Sequence, residues 1–220
     1  MPAVVAVLNQ KGGSGKTTIA TNLARGLQLE GLDVLIADAD PQRTASEWGD
    51  LRDEDLDLPP VVGVNGSTIE NDLQSIGAAY DVVVIDGAPA LDSLNVKTLK
   101  ASDVVLLPVR PSGPDVWAGE ELVDLIHTRR DATGGSPKAA FVVSQQVART
   151  NLAGEIGEIL DAYGLPVLDG RTGQRVAYAE ALSVGTTVLD MAGASKAESE
   201  IREITTGVLD LLQSTVEANE

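Results

Sequence analysis

The stretch of the chain with the clearest chemical character is LNQKGGSGKTT, residues 8–18, which follows directly on a run of apolar residues. Its three glycines are Gly12, Gly13 and Gly15. Glycines allow a tight loop whose backbone N–H groups converge on phosphate oxygens. Ser14 at the tip is small, Lys16 provides a cation for the β and γ phosphates, and Thr17 provides a hydroxyl for Mg²⁺. The stretch therefore predicts a nucleoside triphosphate site.

A second lysine, Lys11, stands just before this loop, where the usual phosphate-loop pattern requires no particular residue. Gln10 occupies the position at which that pattern has its first glycine. Lys11 cannot easily fold back onto the phosphates of its own loop. A second subunit that faces the loop could receive its ammonium group, whereas the alternative is an ordinary surface lysine.

Two further segments carry carboxylates at the ends of apolar runs: ADADPQ (37–42) and VVVIDGAPA (82–90). Alternate residues of a strand point to the same side, so Asp38 and Asp40 are expected to lie together. Asp86 ends the second run, and a carboxylate that a rigid strand holds beside a phosphate loop is typical of a magnesium site. Because magnesium keeps several waters, Asp86 is expected to act through one of them. For Asp38 and Asp40 a turn or helix-capping role is the alternative.

The order of apolar and amphipathic stretches predicts the fold. Strands are predicted at 3–8, 33–38, 61–64, 82–86, 104–109 and 139–144. Helices are predicted at 16–30, 68–77, 93–101, 115–130, 152–163 and about 195–215. Apolar strands separated by helices indicate an α/β fold, with a doubly wound, mostly parallel sheet covered by helices on both faces. Ligands of such sheets bind beyond the carboxyl ends of the strands, where all three motifs fall.

Composition narrows the class of protein. The 220 residues are 43% apolar, which indicates one folded domain spanning 1–220. The absence of cysteine excludes disulfides, thiolate nucleophiles and iron–sulfur or zinc–thiolate sites. No stretch is apolar enough to span a bilayer, and the N-terminus lacks the basic flank of a signal peptide, so a cytoplasmic protein is expected. The net charge of −17 fits either an ordinary acidic protein or one adapted to a salty cytoplasm.

KGGSGKTT, followed by DADPQ, resembles the deviant Walker A ATPases of the ParA/MinD superfamily, which have the fold of P-loop NTPases. The resemblance implies that Lys11 contacts the nucleotide of the partner subunit in an ATP-sandwich dimer, while Lys16 serves its own subunit. It also implies that Asp40 orients the attacking water and helps to hold the magnesium shell. Thr17 and Asp86 would support the same ion, and the implied cofactors are ATP and Mg²⁺.

Other segments resemble the family less closely. Gly87, Ala88 and Pro89 match the switch II segment, which senses the γ-phosphate. FVVSQQ (141–146) is similar to the strand that approaches the adenine, and the implied adenine contacts are Pro111, Ser144 and Gln145. The whole nucleotide-binding set implied by the resemblance is Lys11, Gly12, Gly13, Ser14, Gly15, Lys16, Thr17, Thr18, Pro111, Ser144 and Gln145.

Within the superfamily, the chain looks like a small ParA of the ParF type. It lacks the cysteines of the iron–sulfur members, and because the sequence reaches its first strand within two residues, no N-terminal DNA-binding extension is expected. The resemblance implies a slow, magnesium-dependent and partner-stimulated ATP hydrolase for plasmid or chromosome partition that is nucleoid-associated. Its ATP-bound dimer would bind DNA non-specifically or self-assemble. The implied partners are a second copy of the chain, a ParB-like centromere-binding protein and non-specific DNA. The alternatives are a MinD-like or carboxysome-type cargo-positioning ATPase and, in another class, a metabolic enzyme related to dethiobiotin synthetase.

The last part of the chain bears on DNA and membrane binding. The final helix has an apolar face and an acidic polar face, so it is expected to pack on the domain and not on a membrane. The residues that the resemblance offers for non-specific DNA binding are Arg149, Arg171, Arg175, Lys196 and Arg202. The strong negative charge opposes DNA binding unless these residues form a local basic patch. An ordinary surface or salt-bridge role is the alternative for each of them.

Overall fold

The computed structural model describes residues 1–53, 55–64, 69, 73, 75–89, 93–147, 157 and 159–217. The strands in this part of the chain are β1 (Ala3–Val7), β2 (Val34–Asp38), β3 (Val61–Gly63), β4 (Val82–Asp86), β5 (Val104–Val109) and β6 (Lys138–Val143). They form one sheet in the order β3-β2-β4-β1-β5-β6, in which every neighbouring pair is parallel. The predicted doubly wound parallel sheet is therefore confirmed.

Helices connect these strands. They are α1 (Lys16–Leu29), α2 (Thr44–Leu51), α3 (Ser93–Ala101), α4 (Gly113–Trp117), α5 (Glu120–Thr133), α6 (Val176–Ser183) and α7 (Ser195–Glu217). A short 3₁₀ turn at Gly77–Ala79 precedes β4. The single helix predicted at 115–130 is wrong, because the chain forms two helices there, α4 and α5. The predicted helices at 68–77 and 152–163 lie largely outside the described residues.

Alternate side chains of each strand enter two different apolar layers, as period-two geometry requires. Val4 and Ala6 point into the layer covered by α3 and α5, whereas Val5 and Val7 point into the layer covered by α1, α6 and α7. Every residue of β2, β4 and β5 is buried. A sheet covered on both faces explains why these strands read as continuous apolar runs and not as alternating ones.

Helix α7 packs on the sheet and on α1. Ile201, Ile204 and Val208 are fully buried, which confirms that this helix packs on the domain. Gly26 of α1 lies so close to α7 that a methyl group at this position would overlap the Thr205 hydroxyl. No helix in the described part of the chain has both the length and the apolar character needed to cross a membrane.

The strand register places the chemical motifs at one edge of the sheet. Strand β4 lies between β1 and β2, so Asp86 is level with Val7 on one side and with Asp38 on the other. The loop that follows β1 leads into α1, and the loop that follows β2 leads into α2. The three segments identified from the sequence therefore meet beyond the carboxyl ends of three adjacent strands.

Candidate nucleotide-binding site

The loop between β1 and α1 has the backbone conformation of a phosphate cradle. Gly13 and Gly15 have φ angles of +71° and +92°, in the left-handed region where a side chain is unfavourable. Asn9, which the sequence analysis overlooked, fixes the start of the loop: its Nδ2 donates to the Pro108 carbonyl at 2.5 Å, and its Oδ1 accepts from the Lys11 N–H at 2.8 Å. A buried polar residue directly after an apolar strand is the signal by which Asn9 could have been found.

The end of β6 supports this loop from one side. The Ser144 hydroxyl donates to the Ser14 carbonyl at 2.7 Å, and Gln145 Nε2 donates to the Gly13 carbonyl at 2.8 Å. Ser144 is fully buried, so its role in the structure is to hold the loop. Gln145 has a φ of +52°, which is uncommon for a residue with a side chain and is often found at functional sites.

Lys16 lies inside the loop, where it is 6% exposed. Its Nζ donates to the Lys11 carbonyl at 3.3 Å. Desolvation lowers the pKa of Lys16, while the carboxylates of Asp86 and Asp40 act in the opposite direction. A largely desolvated ammonium group beside glycine N–H groups is a strong attractor for phosphate oxygens.

Asp86 and Thr17 form the second half of the phosphate end. The Thr17 hydroxyl donates to Asp86 Oδ2 at 2.6 Å, and Asp86 is fully buried. Burial raises the pKa of Asp86 to about 7, and the hydrogen bond from Thr17 opposes that rise. Asp86 Oδ1 is buried and has no hydrogen-bond partner among the described residues. A hydroxyl, a carboxylate and an orphaned carboxylate oxygen suit Mg²⁺ and its waters.

Mg²⁺ would enter this site with its nucleotide. Among the described residues, no group of three or more His, Cys, Asp or Glu side chains could hold a metal ion. Magnesium commonly takes one or two protein ligands and completes its shell with waters and substrate phosphates. The pair formed by Thr17 and Asp86 fits that mode of binding and not an all-protein metal site.

The two aspartates after β2 have different roles in the structure. Asp38 is 3% exposed and accepts hydrogen bonds at Oδ2 from the backbone N–H and the hydroxyl of Ser46, at 2.7 and 2.6 Å. Its Oδ1 accepts from the Asp40 N–H at 3.1 Å. Asp40 Oδ1 accepts from the Gln42 N–H at 2.9 Å, which closes a turn. Asp38 therefore supports the backbone of Asp40, while Asp40 is only partly buried and contributes a negative potential at Lys16.

The segment predicted as switch II begins tightly packed and then reaches the surface. The Gly87 N–H donates to the Val7 carbonyl at 3.1 Å, and a methyl group on Gly87 would overlap Leu8. The Ala88 carbonyl accepts from Asn95 Nδ2 at 3.0 Å, whereas Pro89 is exposed. Because residue 87 is a glycine, the end of β4 can approach the end of β1 closely. This packing fixes the position of the neighbouring Asp86 along the sheet.

Lys11 pairs with a carboxylate of its own chain. Its Nζ lies 2.9 Å from Asp115 Oδ1, and its side chain is 33% exposed. The same carboxylate accepts from Arg110 Nε at 3.0 Å and from the Ser112 hydroxyl. Desolvation acts to raise the pKa of Asp115, but the hydrogen bonds from Ser112, Lys11 and Arg110 outweigh it, and the pKa lies below its usual value. Asp115 does not cap helix α4, because the capping residue is Ser112, whose Oγ accepts from the Asp115 N–H.

A cavity of about 630 Å³ opens next to the phosphate loop, at the start of α1. Its lining residues are Gly15, Thr18, Gln145, Thr172, Gly173, Gln174, Arg175, Val176, Tyr178, Ala179 and Leu182. Of the three residues predicted to contact the adenine, only Gln145 lines this cavity. Ser144 lies beneath the phosphate loop, and Pro111 lies outside the lining. Of the segment that begins at Thr172, only Arg175 was predicted as a site residue, and for DNA contact, because no regular spacing marks the segment as part of a nucleotide site.

The model of the CobQ/CobB/MinD/ParA nucleotide-binding domain matches residues 5–188 of the chain. The chain belongs to this family. The expected ParA/MinD resemblance is thereby confirmed, and the matched region contains the phosphate loop described above.

Three similar proteins illustrate the range of this family. Maintenance of carboxysome distribution protein A from Halothiobacillus neapolitanus is 32% identical over 209 residues, covering 93% of this chain and 95% of the relative. The chromosome-partitioning ATPase Soj from Thermus thermophilus is 30% identical, with coverage of 95% and 96%. A Cyanothece McdA–ATP complex superimposes with a TM-score of 0.75 at 16% identity over 96% of each chain, which shows a shared fold.

The basic residues that the ParA resemblance offered for DNA contact differ in their exposure and in their ion pairs. Arg175 binds Glu200 through Nη2 and Nε at 2.5 and 2.9 Å, and Arg202 binds Glu198 at 2.9 Å. Arg171 and Lys196 are exposed, and neither has an ion pair among the described residues. Arg149 lies outside the described residues. Two of the five cations are therefore already neutralised by carboxylates of their own chain.

Proposed function

We propose that the chain is a ParA-type partition ATPase in which ATP and Mg²⁺ close two copies of the chain over a pair of triphosphates. The observation that carries this proposal is the different placement of the two lysines of one loop. Lys16 is buried within the phosphate cradle, whereas Lys11 is held outside it by Asp115 and is partly exposed. A cation outside its own cradle is suited to the nucleotide of a facing copy.

The residues of the phosphate end have separate tasks in this proposal. The loop N–H groups and Lys16 bind the phosphates and neutralise the charge that develops on them. Thr17 and Asp86 would hold Mg²⁺, which when bound neutralises phosphate charge. Asp40 orients the attacking water; its partly buried carboxylate is near enough to Lys16 to act on it electrostatically, which supports this role. Lys11 must exchange Asp115 for the phosphates of the partner copy, so closure of the dimer competes with an ion pair inside the chain.

The cargo distinguishes two versions of this function. Partition of plasmid or chromosomal DNA, assisted by a ParB-like protein and non-specific DNA binding, is supported by the match to Soj along almost the whole chain. Positioning of another cargo, such as a carboxysome, is supported by the relative at 32% identity whose name describes carboxysome distribution. Both versions use the same ATP-dependent dimer of a single domain spanning residues 1–220, and both place DNA contact at the exposed Arg171 and Lys196.

Size-exclusion chromatography with ATP or ADP, followed by hydrolysis assays with and without DNA and the partner protein, tests this function. The unaltered chain is expected to dimerise with ATP and to remain monomeric with ADP. Lys11→Ala should bind ATP but fail to dimerise, and it should lose stimulated hydrolysis. Lys100→Ala, which removes an exposed lysine of α3, is the matched control and should behave like the unaltered chain. Unchanged dimerisation and turnover in Lys11→Ala would refute the proposal.

A further inference from the structure

In the wall of the cavity beside the phosphate loop, the titratable groups already have hydrogen-bond partners within the chain. Among the described residues of its lining, Arg175 is the one charged residue and Tyr178 is the other titratable one. Both bind the carboxylate of Glu200, which belongs to α7 and is not part of the lining. The remaining polar side chains of the lining are neutral: Thr18, Gln145, Thr172 and Gln174. A largely neutral cavity that continues from a phosphate site suits the uncharged base and ribose of a nucleotide.

Glu200 binds three separate groups of this wall at once. Its Oε1 accepts from Arg175 Nε at 2.9 Å and Nη2 at 2.5 Å. Its Oε2 accepts from the Tyr178 hydroxyl at 2.8 Å and from the Gly173 N–H at 3.1 Å. Desolvation acts to raise the pKa of Glu200, but its hydrogen bonds from Arg175, Gly173 and Tyr178 outweigh it, so the pKa lies below its ordinary value. The carboxylate is therefore ionised at neutral pH and fully engaged.

The irregular segment Thr172–Arg175 depends on these contacts for its shape. On one side it is joined to the backbone of Gln146. The Gln146 N–H donates to the Thr172 carbonyl at 2.8 Å, and the Gln146 carbonyl accepts from the Gln174 N–H at 2.9 Å. On the other side Glu200 holds the Gly173 N–H. The absence of a side chain at Gly173 is what permits this approach, since a methyl group there would lie 3.1 Å from Glu200 Oε1 and 3.3 Å from the Arg175 guanidinium.

We infer that Glu200 is a positioning residue for the nucleoside part of ATP: it fixes the loop at Gly173 and turns Arg175 and Tyr178 into a neutral cavity wall. This inference rests on the proposed function, because it assumes that ATP is the ligand of the phosphate loop. It reassigns Arg175 from DNA contact to the nucleotide cavity. Through Glu200, helix α7 would then influence the affinity for the nucleotide, although Glu200 itself does not bind the phosphate loop.

The consequences of removing the charge at Glu200 are specific to the nucleoside. Glu200→Gln keeps the shape of the side chain but leaves the Arg175 cation uncompensated at the wall and weakens the bond to the Gly173 N–H. In the part of the chain that the structure describes, Glu200 forms no hydrogen bond or ion pair with Lys16 or Thr17 of the phosphate loop. A ligand with a base and ribose should therefore lose affinity, whereas a bare polyphosphate should not.

Titration calorimetry of the full chain in the presence of Mg²⁺, with ATP, ADP and inorganic tripolyphosphate as separate ligands, tests the inference. Glu200→Gln is expected to weaken ATP and ADP binding about tenfold, as loss of a charge-assisted hydrogen bond would, and to leave tripolyphosphate unchanged. In hydrolysis assays the KM for ATP should rise while kcat stays close to that of the unaltered chain. Glu198→Gln is the matched control, because Glu198 lies on the same helix and pairs with Arg202 at the exposed surface.

Tyr178→Phe provides a second variant that keeps the ring in the core and removes only the hydroxyl, which donates to Glu200 Oε2 at 2.8 Å and lies 3.3 Å from the Ala197 carbonyl. It should weaken ATP binding by about threefold, in keeping with one hydrogen bond. It should have a smaller effect when Glu200→Gln is already present. If both variants bind ATP as the unaltered chain does, or weaken ATP and tripolyphosphate equally, the inference is wrong. Failure of the unaltered chain to bind ATP at all would overturn the proposed function and this inference together.

Discussion

The two ends of the proposed nucleotide site are built differently. The phosphate end consists of short segments that directly follow β1, β2 and β4, and its polar groups come within a few residues of buried strands. The nucleoside end is assembled from Gln145, an irregular segment at Thr172–Arg175 and a carboxylate on α7, Glu200. The phosphate end is therefore encoded locally, whereas the nucleoside end depends on contacts between distant parts of the chain.

The largest expected effect lies at the phosphate end. Lys16→Ala should reduce kcat/KM for ATP by roughly 100- to 1000-fold, the cost of removing one charge-stabilising group at a reacting phosphate. In contrast to Glu200→Gln, it should weaken ATP and tripolyphosphate alike, and calorimetry with both ligands measures this difference. A loss confined to ATP would mean that the two ends do not have the separate roles described here. Lys100→Ala serves as the control for a lysine remote from the site.

A second prediction concerns the buried charge of Asp86 in the absence of metal and nucleotide. The pKa of about 7 in the folded chain lies above the unfolded value. The unfolded chain therefore loses this proton first, and the free energy of unfolding falls as pH rises through the range that ends near pH 7. Asp86→Asn has no proton to lose. Between pH 5 and pH 8 it should gain on the order of 2 kcal/mol relative to the unaltered chain.

Chemical denaturation at both pH values in the presence of EDTA measures this gain. Asp38→Asn, at the same level of the sheet, is the comparison variant. Asp38 accepts two hydrogen bonds from Ser46, and an asparagine side chain would accept them less strongly. An equal difference between Asp86→Asn and the unaltered chain at pH 5 and pH 8 would contradict the prediction.

The third prediction tests whether the ion pair with Asp115 restrains Lys11. Asp115→Asn removes the charge that holds Lys11 but keeps a side chain of the same shape beside Ser112 and Arg110. If Lys11 must leave this contact to reach a facing copy, the ATP-dependent dimer should form at about fivefold lower protein concentration, equivalent to about 1 kcal/mol for a partly exposed pair. Analytical ultracentrifugation with ATP measures the shift, with Asp124→Asn on the exposed face of α5 as the control. A weaker dimer in Asp115→Asn would show that the pair supports the interface instead.

The smallest effect is spectroscopic. The chain has two tryptophans: Trp48 is 1% exposed, and Trp117, two residues after Asp115, is 65% exposed. If the face that carries Lys11 and Asp115 is covered when two copies close, the emission of Trp117 should move by a few nanometres to shorter wavelength with ATP but not with ADP. Trp117→Phe should abolish this change, and its persistence in that variant would locate the change at Trp48.

The contrast between the two ends also explains what the sequence could predict. The strands and the phosphate loop follow from local patterns, because apolar runs, glycines and the lysine–threonine pair lie together. Helix α2 was missed because it is short and polar, with only Ala45, Ser46 and Trp48 buried. Helix α6 was missed because its first residue, Val176, is apolar yet 72% exposed. Its apolar residues therefore do not mark a single buried face of a helix.

Arg175 shows the limit of reasoning from charge alone. As a cation near the C-terminal part it was a reasonable DNA-binding candidate, but its partner Glu200 lies 25 residues further along the chain. Lys11 shows the same limit, since nothing in its neighbourhood in the sequence indicates Asp115, more than 100 residues away. Such pairs depend on which elements pack together, and spacing along the chain does not contain that information.

The contact between Gly26 and Thr205 limits how the protein can vary. Helix α1 begins at Lys16, and Thr205 lies little more than one turn after Glu200 on α7, so this one close approach joins the helix of the phosphate loop to the helix of the nucleoside wall. A side chain at position 26 would either displace the Thr205 hydroxyl from its hydrogen bond to the Ile201 carbonyl or push the two helices apart. Glycine at a position remote from the nucleotide therefore keeps the two halves of the site close together.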